Sequence, residues 1–81
     1  MAVYMCKYCG MMIEKSSRPS NAGCPKHSSH FWYIVCKNGG IEPKSGLNAY
    51  SCKYCGKVVY CSQTPNMSGC PAHNSHSWHK L

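Results

Sequence analysis

Three features of the chain predict a small, metal-stabilised, β-rich fold made of two tandem hairpin modules with little helix. Eight cysteines and five histidines are placed within 81 residues. A stretch of 32 residues recurs, without a gap, 46 positions later. The segments between the cysteines are short β-branched and aromatic runs, with no capped stretch of helical period. A chain of this length buries too little apolar surface to fold on hydrophobic packing alone, and chains of this size normally rely on disulfides or metal. The cysteines therefore set the fold class.

The repeat defines the organisation. Residues 4–35 align with 50–81, and 15 of the 32 aligned pairs are identical. Tyr4, Cys6, Lys7, Tyr8, Cys9 and Gly10 recur as Tyr50, Cys52, Lys53, Tyr54, Cys55 and Gly56. Further along, Gly23, Cys24 and Pro25 recur as Gly69, Cys70 and Pro71, and His27, His30 and Trp32 as His73, His76 and Trp78. This gives a module over residues 1–35, a connector over 36–49 and a second module over 50–81. The connector carries Gly39-Gly40, Pro43 and Ser45-Gly46, which is turn chemistry. The two modules either pack as a pseudo-symmetric pair or stand as independent beads.

Within the modules, strands are predicted at Met11-Met12-Ile13, at Phe31 to Val35 and at Lys57 to Cys61. The polar stretches Ser16 to Ala22 and Ser62 to Ser68 read as loops. Trp32 and Trp78 read as core residues, one large aromatic for each small module.

Each module has the spacing Cys-x2-Cys-x14-Cys, with a histidine after two further residues and another after five. Cys-x2-Cys supplies two sulfurs from one tight turn, and zinc takes four soft or borderline ligands in a tetrahedron. Gly10 and Gly56 follow the second cysteine and let the backbone turn without a Cβ clash. The candidate metal ligands are Cys6, Cys9, Cys24 and His30, and Cys52, Cys55, Cys70 and His76, for two zinc ions in all. His27 and His73 are the alternative fourth ligands, giving Cys-x2-His. His30 and His76 are favoured because each lies two residues before a tryptophan, on the same face of the final strand.

A disulfide framework is the competing reading of eight cysteines. Three matched cysteines per module cannot pair within it, and matched histidines have no place in such a framework. Cys36, Cys61 and His79 lack counterparts in the other copy. Cys36 and Cys61 are left open: paired with each other, free, or adventitious ligands.

The runs Cys-Lys-Tyr-Cys-Gly, Gly-Cys-Pro and His-x-Trp together resemble the small bacterial zinc-ribbon and zinc-finger proteins. Cys6-Lys7-Tyr8-Cys9-Gly10 is similar to a zinc knuckle, and Cys24-Pro25-Lys26-His27 to a Cys-Pro-x-Cys knuckle with His in the last place. The resemblance spans nearly the whole chain as two copies. It implies two zinc-ribbon-like modules, each a treble turn or three-stranded ribbon around its metal, and it says little about function.

Composition narrows the function classes. The net charge is +7, with Glu14 and Glu42 the only acidic residues. Three thiolates and an imidazole saturate zinc, which marks a structural site. No His-x-Glu, Gly-rich phosphate loop or nucleophile elbow accompanies the cysteines, so no enzyme activity and no small-molecule substrate are expected. No apolar run is long enough to span a membrane, and the first residues do not read as a secretory signal. That absence, with reduced cysteines, makes the cytoplasm the expected compartment. The leading functional expectation is a structural zinc protein serving as a protein-interaction or scaffold module. The alternative is nucleic-acid binding, with Lys7 and Lys53 contacting phosphate and Tyr8 and Tyr54 stacking on bases.

Overall fold

The computed structural model describes residues 1–81 and contains seven strands and no helix. They are β1 (Ala2–Cys6), β2 (Met12–Lys15), β3 (Trp32–Cys36), β4 (Gly39–Gly40), β5 (Asn48–Cys52), β6 (Val58–Cys61) and β7 (Trp78–Lys80). Two antiparallel sheets result, one ordered β2-β1-β3 and the other β4-β6-β5-β7. The protein is thus a small β protein with two sheets and two clusters able to bind metal.

The sheets share a register at the same 46-residue offset. Tyr4 faces Ile13 and Ile34, and Cys6 faces Trp32. Correspondingly, Tyr50 faces Val59 and Lys80, and Cys52 faces Trp78. The Trp32 indole N–H donates to the Ser20 carbonyl at 2.7 Å, and the Trp78 indole to the Asn66 carbonyl at 2.9 Å. Each indole therefore fastens its long loop to its last strand.

The central strands, β1 and β5, differ from what local pattern suggests. All five residues of β1 are buried, so it shows no apolar–polar alternation. Val3 and Met5 face the second sheet, packing with Val35, Tyr50 and Val59. Ala2, Tyr4 and Cys6 face the opposite side, where Trp32 covers them. In β5, Asn48, Ala49 and Ser51 have weak strand preference, and the strand exists because β6 and β7 pair with it on both edges. Residues 39–40, within the predicted connector, pair with β6 as β4.

The two sheets pack together, but one-sidedly. A Cβ at Gly10 would lie 3.4 Å from Pro71, whereas one at its counterpart Gly56 would meet nothing within 4 Å. Trp32 is 3% exposed on the face away from the second sheet, while Trp78 packs against the shared core and is only half-buried. Cys36 at the end of β3 and Cys61 at the end of β6 form a disulfide that ties one sheet to the other.

Candidate metal sites

Each cluster is assembled from a turn, a loop end and a strand entry. In the first, β1 runs into the turn at Cys6, where the Gly10 N–H donates to the Cys6 carbonyl and the Cys6 N–H to the Met11 carbonyl. Gly10 closes this turn at φ 74°, a conformation that favours glycine. The Lys7 N–H donates to the Phe31 carbonyl, clamping the turn to the entry of β3. The His30 N–H donates to the Asn21 carbonyl at 2.6 Å and turns its ring inward. The same bonds recur as Gly56 to Cys52, Cys52 to Lys57, Lys53 to Ser77 and His76 to Met67.

The result brings Cys6, Cys9, Cys24 and His30 together, and likewise Cys52, Cys55, Cys70 and His76. In each group the sulfur and ring-nitrogen atoms all lie within 4.8 Å of one another, and each group could hold a metal ion. The Cys6 and Cys24 sulfurs are 3.9 Å apart, as are those of Cys52 and Cys70. Nδ1 of His30 lies 3.6 Å from the Cys9 sulfur, and Nδ1 of His76 lies 3.5 Å from Cys55 and 3.1 Å from Cys52.

His27 and His73, the alternative fourth ligands, stand outside these groups. Both are exposed. His27 stacks on Tyr8 and His73 on Tyr54, each pair with ring centroids 3.9 Å apart and 10° from parallel. Cys36 and Cys61 also stand outside, joined to each other.

The electrostatics divide the thiols. Burial pushes Cys6 and Cys52 up, but converging hydrogen bonds outweigh it. For Cys6 these come from the Cys9, Phe31 and Tyr8 backbone and the His30 ring; for Cys52, from the Cys55, Ser77 and Tyr54 backbone and the His76 ring. Both thiols are brought down to about 6. In Cys55, burial with the neighbouring Cys52 and Cys70 sulfurs pushes the thiol up to about 12. Burial and the Cys6 and Cys24 sulfurs also raise Cys9. Cys6 and Cys52 are thus the readier thiolates, and Cys9 and Cys55 lose their protons to solvent as a metal takes their sulfurs.

Tyr33 is a site residue that local reading misses. It belongs to β3, yet its hydroxyl reaches His76, 43 residues away. No motif or spacing marks such a contact. Of the two carboxylates, Glu14 is paired with Lys44 at 3.1 Å, and that hydrogen bond holds its carboxyl below the usual range. No helix is long and apolar enough to cross a membrane.

Comparison with protein-family models, with curated proteins and with solved structures gives no match for this chain. What the site defines is a class: a small β protein with two clusters of three cysteines and one histidine suited to a structural metal.

Proposed function

We propose that this chain is a structural zinc protein, with one Zn²⁺ held by Cys6, Cys9, Cys24 and His30 and a second by Cys52, Cys55, Cys70 and His76. The donor geometry carries the reading. A tetrahedron with zinc–sulfur bonds of about 2.3 Å and a zinc–nitrogen bond of about 2.0 Å has edges of about 3.8 Å between sulfurs and about 3.5 Å from sulfur to nitrogen. The sulfur pairs at 3.9 Å and the Nδ1 contacts at 3.6 and 3.5 Å match both, while Nδ1 of His76 lies closer to Cys52, at 3.1 Å, than the ideal edge. The soft donor set points the same way, since thiolates select zinc over hard cations. Zinc here supplies folding free energy, and four protein donors leave no coordination place for a substrate. The zinc-knuckle resemblance of Cys6 to Gly10 and of Cys52 to Gly56 agrees with this role, whereas His27 and His73, last in the Cys-Pro-x-His turns, lie outside the clusters.

The metal-stiffened sheets serve as a scaffold that presents a surface to a protein partner. Chelation tests the structural half of the proposal. Removing zinc abolishes the far-ultraviolet signature of the sheets, and restoring it returns them; a spectrum indifferent to chelator contradicts the reading.

Nucleic-acid binding is the second reading. Tyr8 and Tyr54 are 38% and 43% exposed, Phe31 is 54% exposed, and Lys7 and Lys53 sit in the same exposed turns. Lys7 Nζ already lies 5.7 Å from the Phe31 ring centroid. Such aromatics beside cations suit a single strand, stacking on bases and contacting phosphate. Zinc-loaded protein titrated with single-stranded and duplex nucleic acid, with heparin as polyanion control, separates the two readings. Preference for one nucleic acid, weakened by Tyr8→Ala with Tyr54→Ala, favours this one. Binding that follows charge alone, or none, leaves the scaffold role.

A further inference from the structure

The two clusters match in local geometry and differ in what covers them. The Tyr33 hydroxyl, on the first sheet, lies 2.8 Å from Nε2 of His76 and donates a hydrogen bond to the Gly69 carbonyl. With its proton committed to Gly69, the Tyr33 oxygen accepts from Nε2–H of His76. That fixes the tautomer: the proton is on Nε2 and the lone pair on Nδ1, the atom that faces Cys52 and Cys55. A ligating histidine needs this arrangement, and a hydrogen bond to its other nitrogen holds the ring in line.

The backbone around Cys70 is shaped for the same contact. Gly69 has φ 77°, and a Cβ there would collide with the Tyr33 ring. Pro71 packs beneath Gly10 of the first turn. Cys70 is 6% exposed and His76 2%.

The first cluster has buried members of its own, Cys6 at 0% and His30 at 7% exposure, but no counterpart of the Tyr33 contact. A Cβ at Gly23, the counterpart of Gly69, would meet nothing within 4 Å. The position equivalent to Tyr33 is His79, which is exposed. The His30 ring is hydrogen-bonded to the Cys9 and Cys6 sulfurs with no hydroxyl reaching it, and Cys24 is more open than Cys70.

We propose that Tyr33 is a positioning residue for the second metal site, and that it makes the sites unequal. The second site is locked by the first sheet, and the first is the one through which metal exchanges. The proposal rests on the metal reading above.

The test uses the full chain loaded with two zinc ions. Release into excess chelator is followed optically, and native mass spectrometry counts the ions retained. The wild type is expected to release one ion quickly and one slowly. Tyr33→Phe keeps the ring and loses the hydroxyl. It should still start with two ions and release the slow one about 10–100-fold faster, leaving the fast phase unmoved. Identical phases in wild type and Tyr33→Phe overturn the proposal.

A second measurement needs no variant. Long-range proton–nitrogen spectra of the loaded wild type should show a His76 Nε2–H that exchanges with solvent far more slowly than that of His30. Equal exchange, or the opposite His76 tautomer, overturns the proposal even if the variant does not fold. A wild-type chain that retains no zinc overturns the metal reading and this one with it, whereas two ions released at one rate overturn this one alone.

Discussion

Tyr8 and His27 stack face to face, with centroids 3.9 Å apart and planes 10° from parallel. The stack holds the His27 imidazole on the outside of the first knuckle, while His30 turns its Nδ1 toward Cys9. Two histidines three residues apart therefore face different tasks. His27→Ala with His73→Ala should retain two zinc ions per chain by native mass spectrometry. His30→Ala should retain one, and His76→Ala likewise. A chain that loses zinc on replacement of His27 would reverse the assignment.

Zinc uptake should depend on pH with a definite sign. Metal binds thiolate, so each thiol still protonated must release its proton. At neutral pH Cys6 and Cys52, lowered to about 6, are already largely ionised. Cys55, raised to about 12, is not, and its proton is displaced by the metal. Affinity should therefore rise with pH across the neutral range. The dependence should steepen below about pH 6, where Cys6 and Cys52 also hold protons. Proton release in weak buffer, measured alongside a competition assay, checks the sign; affinity that falls as pH rises would contradict it.

The Cys36–Cys61 disulfide closes a span of 25 residues between the two sheets. A cross-link over a loop of this size stabilises by about 3 kcal/mol, chiefly by restricting the unfolded chain. Neither cysteine belongs to a metal cluster. Replacing both with serine should lower the unfolding free energy of the zinc-loaded protein, read from denaturant titration, by that amount and leave two zinc ions bound. Loss of zinc in that variant would show that the cross-link also holds the clusters.

Met5 is fully buried where the two sheets meet, among Val3, Val35 and Val59. Met5→Ala removes volume from the contact between the sheets, and such truncations cost about 2–5 kcal/mol. Because the cavity would open between the sheets, both should lose stability together in one unfolding transition. Two separate transitions in the variant, followed by amide exchange, would show that the sheets fold independently.

The sequence by itself determined the candidate metal donors of this protein, three cysteines in each repeat with two histidines close behind. Cysteine and histidine spacing is local arithmetic: Cys6 and Cys9 must share a turn, and so must Cys52 and Cys55. The β-rich class follows equally from runs such as Trp32 to Val35 and Val58 to Tyr60, whose residues prefer extended backbone. The central strands were not legible, because β1 is buried on both faces and β5 has little strand preference of its own.

Tertiary structure decided everything that depends on residues distant in the chain. It placed His30 among the sulfurs and His27 beside Tyr8, although both histidines follow Cys24 closely. It joined Cys36 to Cys61 and set Gly39 and Gly40 against β6. It also gave His76 a tyrosine that His30 lacks, so two nearly identical motifs occupy different surroundings. Spacing along the chain governs which donors share a turn. Only the packing of one sheet on the other gives the second cluster its added cover, because Tyr33 belongs to the other module and not to that cluster's own motif.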